Sequence, residues 1–276
     1  MKKGVNITCF PKGLPISDAL SMSKDAGFGS LELFVSEAGE FSLNTSTEEV
    51  KALARLAESK GMSFCGVGAA FLWKAHFLAP DPAVQARARD GLDRCLEFAA
   101  ILRAGTVLVI PPIVNQQLPY GEAYRLGIEE MARLAERASQ YGLHLGLENG
   151  GVKFLMSPLE FAAFLDAVDS PNFGAYLDTA NVMLDGGYPE QWVATLGPRL
   201  RQLHLKDYLG QVFGQRIYTH PLQGTVDWRA VMKALRAAKY DGFVVAEVPP
   251  YSTFADHGIR NLRNTMDLVL SLGEDV

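Results

Sequence analysis

Four residues in the second half of the sequence could do metal chemistry together: Glu148, Asp178, His204 and Glu247. Each ends a short, mostly apolar run: HLGLE, FGAYLD, LRQLH and GFVVAE. A carboxylate at the end of a buried strand is costly unless it is paired or protonated. Singly, each residue has an ordinary reading. A strand-end Glu can cap or pair with a base, Asp178 in DTAN can cap a turn, and His204 can be a satisfied core histidine. Gathered at one place, three carboxylates would bury a charge excess that needs a cation. Three carboxylates with one imidazole suit a divalent ion, Mn²⁺, Co²⁺ or Mg²⁺, with Zn²⁺ also accommodated. A structural zinc site would draw on cysteines instead.

Gathering them requires a frame. Eight β-rich runs recur along the chain, at 4–10, 30–35, 62–68, 106–111, 143–148, 173–178, 200–206 and 242–248. Helical patterns separate them. Ser46 and Glu49 have capping-box spacing, and Gly61 closes that helix. Ser157 and Pro158 open another, and Asp227 precedes a third that stops at Gly242. Residues 15–26, 82–104, 121–141, 189–196 and 257–272 complete the set. Eight strand–helix units in 276 residues predict an α/β fold, a (β/α)8 TIM barrel forming a single domain over 1–276. A doubly wound sheet would carry a glycine-rich phosphate turn after its first strand, and the chain has PKGLP there.

Barrel strands alternate between the interior and the helix layer. Leu143, Leu145 and Leu147 therefore face the helices, while His144, Gly146 and Glu148 face inward. The same alternation turns Tyr176 and Asp178 inward, with Gln202, His204 and Lys206 on the next strand and Glu247 on the last. The four candidate ligands thus close four successive strands on their inner side, at the end where barrels place active sites.

Composition narrows the class. With 26 basic and 31 acidic residues the net charge is −5, which argues against non-specific nucleic-acid binding. Cys9, Cys65 and Cys95 are scattered and odd in number, so a reducing compartment is expected and a disulfide framework is not. MKKGVNITCF lacks the apolar run of a signal peptide, and no later run is long enough to span a membrane. A cytoplasmic protein is expected.

In these motifs the chain resembles the sugar phosphate isomerase/epimerase family of xylose isomerase-like barrels, which includes ketose 3-epimerases, hydroxypyruvate isomerases and inosose dehydratases. The resemblance rests on GLENGG, LDTAN, LHLKD, QGTVDW and VVAEVP and runs over essentially the whole chain. It implies that Glu148, Asp178, His204 and Glu247 hold the metal and that Glu148 and Glu247 double as an acid/base pair. Asn181 stands where the epimerases usually carry His and can donate to a substrate oxygen. An arginine after strand seven often touches substrate in the family; Arg216 is the nearest, with His220 its rival.

The chemistry follows. A hydroxy-carbonyl compound chelated by the cation has an acidified C–H. One Glu removes that proton and the other returns one, giving epimerisation or aldose–ketose isomerisation. Loss of a β-hydroxyl at the same site gives dehydration, the alternative reading, a metal-dependent lyase of an inosose-like or keto-polyol substrate. Lys206 is read as balancing charge or meeting an oxyanion, paired with Asp207 or a nearby carboxylate. Glu32 is expected to meet the substrate or brace the barrel mouth. Phe10, Phe71, Trp73 and His76 form a wall against a sugar or pack the core. The expected partner is a small sugar or polyol, unphosphorylated in the absence of an evident phosphate loop. The chain is expected to act alone, as a homodimer or as a homotetramer. Two further readings are weaker: a barrel that binds sugar without turnover, which two intact acid/base glutamates oppose, and an apurinic endonuclease, which needs more than the five histidines present.

Overall fold

The computed structural model describes residues 1–150, 152–212 and 214–272, with only the backbone of Val212; Gly151, the last residue of GLENGG, lies outside them. Eight parallel strands close into a barrel: β1 (Lys2–Asn6), β2 (Ser30–Phe34), β3 (Ser63–Gly68), β4 (Thr106–Val109), β5 (His144–Glu148), β6 (Phe173–Asp178), β7 (Leu200–Leu205) and β10 (Phe243–Ala246). The last closes on the first, with Lys2 opposite Phe243 and Val5 opposite Ala246. Around it lie α1 (Ile16–Ala26), α2 (Thr47–Ser59), α3 (Pro82–Leu102), α4 (Tyr120–Ser139), α5 (Pro158–Val168), α6 (Thr179–Leu184), α7 (Pro189–Leu196), α8 (Trp228–Ala237) and α9 (Ala255–Ser271). No helix is long and apolar enough to cross a membrane among the described residues.

The local signals act as their chemistry dictates. Ser46 and Glu49 form both halves of a capping box at the start of α2. Ser157 accepts from the Glu160 amide, with Pro158 in the first turn of α5. Leu143, Leu145 and Leu147 are buried towards the helices. Position 146 faces inward by strand alternation and is glycine because Tyr176 fills the interior there; a β-carbon at 146 would stand 2.8 Å from the Tyr176 ring.

Three expectations change. The first strand ends at Asn6 rather than at residue 10, because the Asn6 side chain accepts from the Thr8 amide at 2.8 Å and turns 7–9 into a 3-10 turn. DTAN is not an isolated turn: Asp178 caps α6 by accepting from the Asn181 amide at 2.9 Å. The segment after β7, which carries Arg216 and in which the sequence predicts no element, is an antiparallel hairpin of β8 (Asp207–Val212) and β9 (Gln215–Thr219).

Asp207 anchors that hairpin. Its fully buried carboxylate accepts from the Tyr208 and Val226 amides, the Leu222 amide and the Trp228 indole, at 2.8 to 3.1 Å. A β-carbon at 224 would collide with it, so the glycine of QGTVDW lets the loop close around the Asp. One carboxylate thus satisfies four donors, from β8, the segment that follows β9 and the start of α8. Asp207→Asn replaces one acceptor oxygen by a donor facing donors. We expect it to lower unfolding free energy by about 1–3 kcal/mol, read as a shift in the urea midpoint at unchanged slope.

Candidate functional site

The four candidate ligands meet at the C-terminal mouth. Their ligand atoms all lie within 4.8 Å of one another. Register brings them together: His204 stands level with Asp178 on β6 and with Val245 on β10, two residues before Glu247. Asp178 and His204 are fully buried, whereas the side chains of Glu148 and Glu247 keep 14% and 16% of their surface open to the cleft.

Hydrogen bonding assigns the two nitrogens of His204. Nε2 lies 2.7 Å from Glu32 Oε2 and donates its proton there. Nδ1 therefore faces the centre, 3.2 Å from Glu148 Oε1, 3.5 Å from Glu247 Oε2 and 4.0 Å from Asp178 Oδ2. Asp178 divides its oxygens in the same way: Oδ1 caps α6 and Oδ2 points into the cluster. Asn149 clamps the Asp178 backbone, accepting from its amide at 2.7 Å and donating to its carbonyl at 3.1 Å.

The pocket attracts positive charge. Burial pushes the His204 imidazole down, but Glu32, Glu247 and Glu148 outweigh it and hold the imidazole well above its ordinary value. Burial likewise opposes charge on Lys206, and Asp178, Glu247 and Glu148 overcome it. Burial lifts the Glu247 carboxyl to about 7 against the opposing pull of Lys206 and His204. Lys206 Nζ sits 2.9 Å from Asp178 Oδ2, off the hydrogen-bonding direction, and contacts Glu247 Oε2. Both of these oxygens are buried and accept no well-formed hydrogen bond. Two buried carboxylate oxygens in that condition, with the Glu148 carboxylate and His204 Nδ1 converging on the same point, are a donor set that fits a divalent cation.

The other sequence-derived residues divide. Lys206 joins the cluster, paired with Asp178 and Glu247 rather than with Asp207. Asn181 stands beside it, with its amide on the Asn149 carbonyl at 3.0 Å and its oxygen accepting from Tyr218. Gly150, at φ 122, makes that approach possible, since a β-carbon there would press on Asn181. His220 is buried against Tyr251 and donates to the Pro249 carbonyl at 2.9 Å, and burial keeps its imidazole below the ordinary value. Arg216 is exposed on β9. Trp73 stands half-exposed on the 3-10 turn after β3, while Phe71 is core, packed over Gly91 of α3. His76 is partly buried, and Phe10 is buried. Glu32 is not at the mouth: it is fully buried beneath His204, bonded to Asn6 Nδ2 at 2.6 Å and to the Tyr176 hydroxyl.

Two groups escape sequence reasoning. One is Asn6 and the bonding that joins it with Glu32, Tyr176 and Gln202 into a buried layer under the cluster, whose signal is a run of polar residues at inward strand positions. The other is Tyr218 on β9, whose ring lies 4.9 Å from Lys206 Nζ. With Thr8, Lys206, Glu247, Val248 and Pro249 it lines a cleft of about 170 Å³.

A family model described as xylose isomerase-like TIM barrel matches residues 20–268. The chain belongs to this family. This xylose isomerase-like barrel is 28% identical over 177 residues to the ketose 3-epimerase of Arthrobacter globiformis, covering 60% of this chain and 57% of that protein. It is 28% identical over 127 residues to the L-ribulose 3-epimerase of Methylomonas sp. (strain DH-1), covering 44% and 40%. The matches therefore span about half the length of these curated relatives. The fold superimposes on the crystal structure of the IOLI protein with a binding zinc atom at a TM-score of 0.82, with 18% identity and 98% of each chain covered.

Proposed function

We propose that the chain is a divalent-metal-dependent isomerase or epimerase of a small sugar, ketose or polyol derivative. The observation that carries this is the unequal exposure of one convergent cluster. Asp178 and His204 are sealed and can only hold an ion, whereas Glu148 and Glu247 reach the same point and keep an edge in the cleft. The epimerase names of the curated relatives and the zinc recorded in the IOLI structure support the same reading.

Glu148, Asp178, His204 Nδ1 and Glu247 would hold the cation. Once bound, it supplies Lewis acidity that makes a C–H beside a chelated carbonyl easier to break. The protein does the rest. Glu148 ends β5 and Glu247 follows β10, so they flank the centre from the two sides of the β6–β7 pair. One accepts the substrate proton and the other delivers one. Lys206, charged and within reach of both Asp178 and Glu247, offsets the negative charge of the carboxylates. Tyr218 and Asn181 line the path towards the hairpin and position hydroxyls.

The test is a panel of ketoses and polyols incubated in D2O with Mn²⁺, Co²⁺ or Mg²⁺. Deuterium at the carbon beside the carbonyl, with the sugar otherwise conserved, is the expected result. Loss of water would make the enzyme a lyase. No exchange with any substrate would overturn the proton-transfer reading. Metal binding also has a signature independent of turnover. A cation at one hundred times its Kd stabilises the fold by about 2.7 kcal/mol, read as a raised thermal midpoint. Asp178→Asn should abolish that rise.

A further inference from the structure

Beside the cleft at Glu247 runs a second cavity, an apolar groove of about 600 Å³. Ile7, Phe10, Leu14, Phe34, Phe41 and Ala70 line it. The two cavities adjoin. Thr8 borders both, and Pro249 of the cleft is followed by Pro250 of the groove. The Phe34 ring meets His204 edge-on, with centroids 6.3 Å apart. That ring lies over Gly68, where any β-carbon would collide with it.

The chemistry of the groove differs from that of the cleft. Glu40, on its wall, already accepts from the Ile16 amide at 3.0 Å. Thr8, Lys12 and Ser36 are the other polar side chains on the lining, so a free sugar, with a hydroxyl on nearly every carbon, would leave most of those hydroxyls facing phenylalanine, leucine and isoleucine. The cleft alone, at about 170 Å³, is smaller than the usual range for small-molecule sites, about 300–1,000 Å³; cleft and groove together fall within it. Apolar concave surface beside a polar reaction centre is the arrangement that recognises an amphipathic ligand.

We propose that the substrate is a sugar bearing an apolar substituent, an alkyl or aryl aglycone, which lies in the groove while the hydroxy-carbonyl part occupies the cleft beside Glu247. The sugar half rests on the isomerase reading above; the groove half rests on the cavity itself. The substituent fixes the sugar's position relative to Glu148 and Glu247, so that binding energy from the remote group serves the reacting carbon.

The test separates the two halves. The methyl, n-butyl and phenyl glycosides of one hexose, with a ketone away from the anomeric carbon, are titrated calorimetrically into the Mn²⁺-loaded full chain. Deuterium exchange is followed on the same compounds. The phenyl glycoside should bind at least about tenfold more tightly than the methyl glycoside, with butyl between them. Ala38→Trp, at the exposed rim of the groove, and Leu14→Gln, on its wall, should each erase most of that gain and leave methyl glycoside binding within about twofold. Equal Kd values across the series, or a gain that survives both substitutions, would overturn the proposal whatever the exchange result. A binding gain without exchange on any compound would leave the groove assignment standing and overturn the isomerase reading.

Discussion

We expect Glu148→Gln and Glu247→Gln each to lower kcat for deuterium exchange by about 10²- to 10⁴-fold, the usual contribution of a positioned general acid or base. The two glutamates are assigned one role in the proposed reaction because they share a geometry. Each brings an oxygen to the cluster, and each keeps part of its side chain open to the cleft. Glutamine preserves volume and one coordinating oxygen but cannot take up or release a proton. The loss therefore falls on kcat, with metal content measured alongside to separate failed proton transfer from failed cation binding. Asp178→Asn should behave differently. Its side chain has no exposed edge, so its loss should appear first as weaker metal binding and only through that as lower turnover. A Glu247→Gln enzyme that keeps its metal and exchanges deuterium at the wild-type rate would remove Glu247 from the reaction.

The sequence makes the scaffold more readable than the chemistry inside it. Helix starts were legible because their signals are local: Ser46 with Glu49, and Ser157 with Pro158, act within a single turn. The facing of Glu148, His204 and Lys206 was legible because strand alternation is strict. The α6 start was not, since Thr179 and Asn181 are poor helix formers and the helix depends on the Asp178 cap. The hairpin β8–β9 was not, because it lies outside the barrel sheet and depends on Asp207 gripping residues up to 21 positions away. Glu32 is the clearest case. Read along the chain it looks like a mouth residue near the end of a strand. Its partner His204 is 172 residues away, and only closure of the barrel sets β2 across from β7. No local pattern encodes a contact across the interior.

That contact supports the second large effect. Glu32 Oε2 accepts from Asn6 Nδ2 and His204 Nε2, and Oε1 accepts from the Tyr176 hydroxyl. The Tyr176 oxygen in turn accepts from Gln202 Nε2 at 2.6 Å. Three donors thus converge on one carboxylate, and the imidazole is held with Nδ1 towards the cluster because its other nitrogen is occupied. Outer partners of this kind orient a metal-binding histidine, and their loss typically costs 10- to 100-fold in metal affinity. Glu32→Gln keeps one acceptor and can still take the His204 proton, but its amide group then faces the Tyr176 hydroxyl, which already accepts from Gln202. We expect about a tenfold loss of Mn²⁺ affinity. Glu32→Ala removes both acceptors, leaves three buried donors unpaired and frees the ring to rotate, so the loss should approach about a hundredfold, with about 1–3 kcal/mol of folding stability for each donor stranded. Tyr176→Phe leaves the His204 bond intact and should weaken binding least. The order Tyr176→Phe, Glu32→Gln, Glu32→Ala in metal affinity, measured by calorimetric titration, is the specific outcome. It follows from the direction of each hydrogen bond, whereas a general loosening of the core would rank the variants by the volume removed and place Glu32→Gln, which removes none, at the mild end.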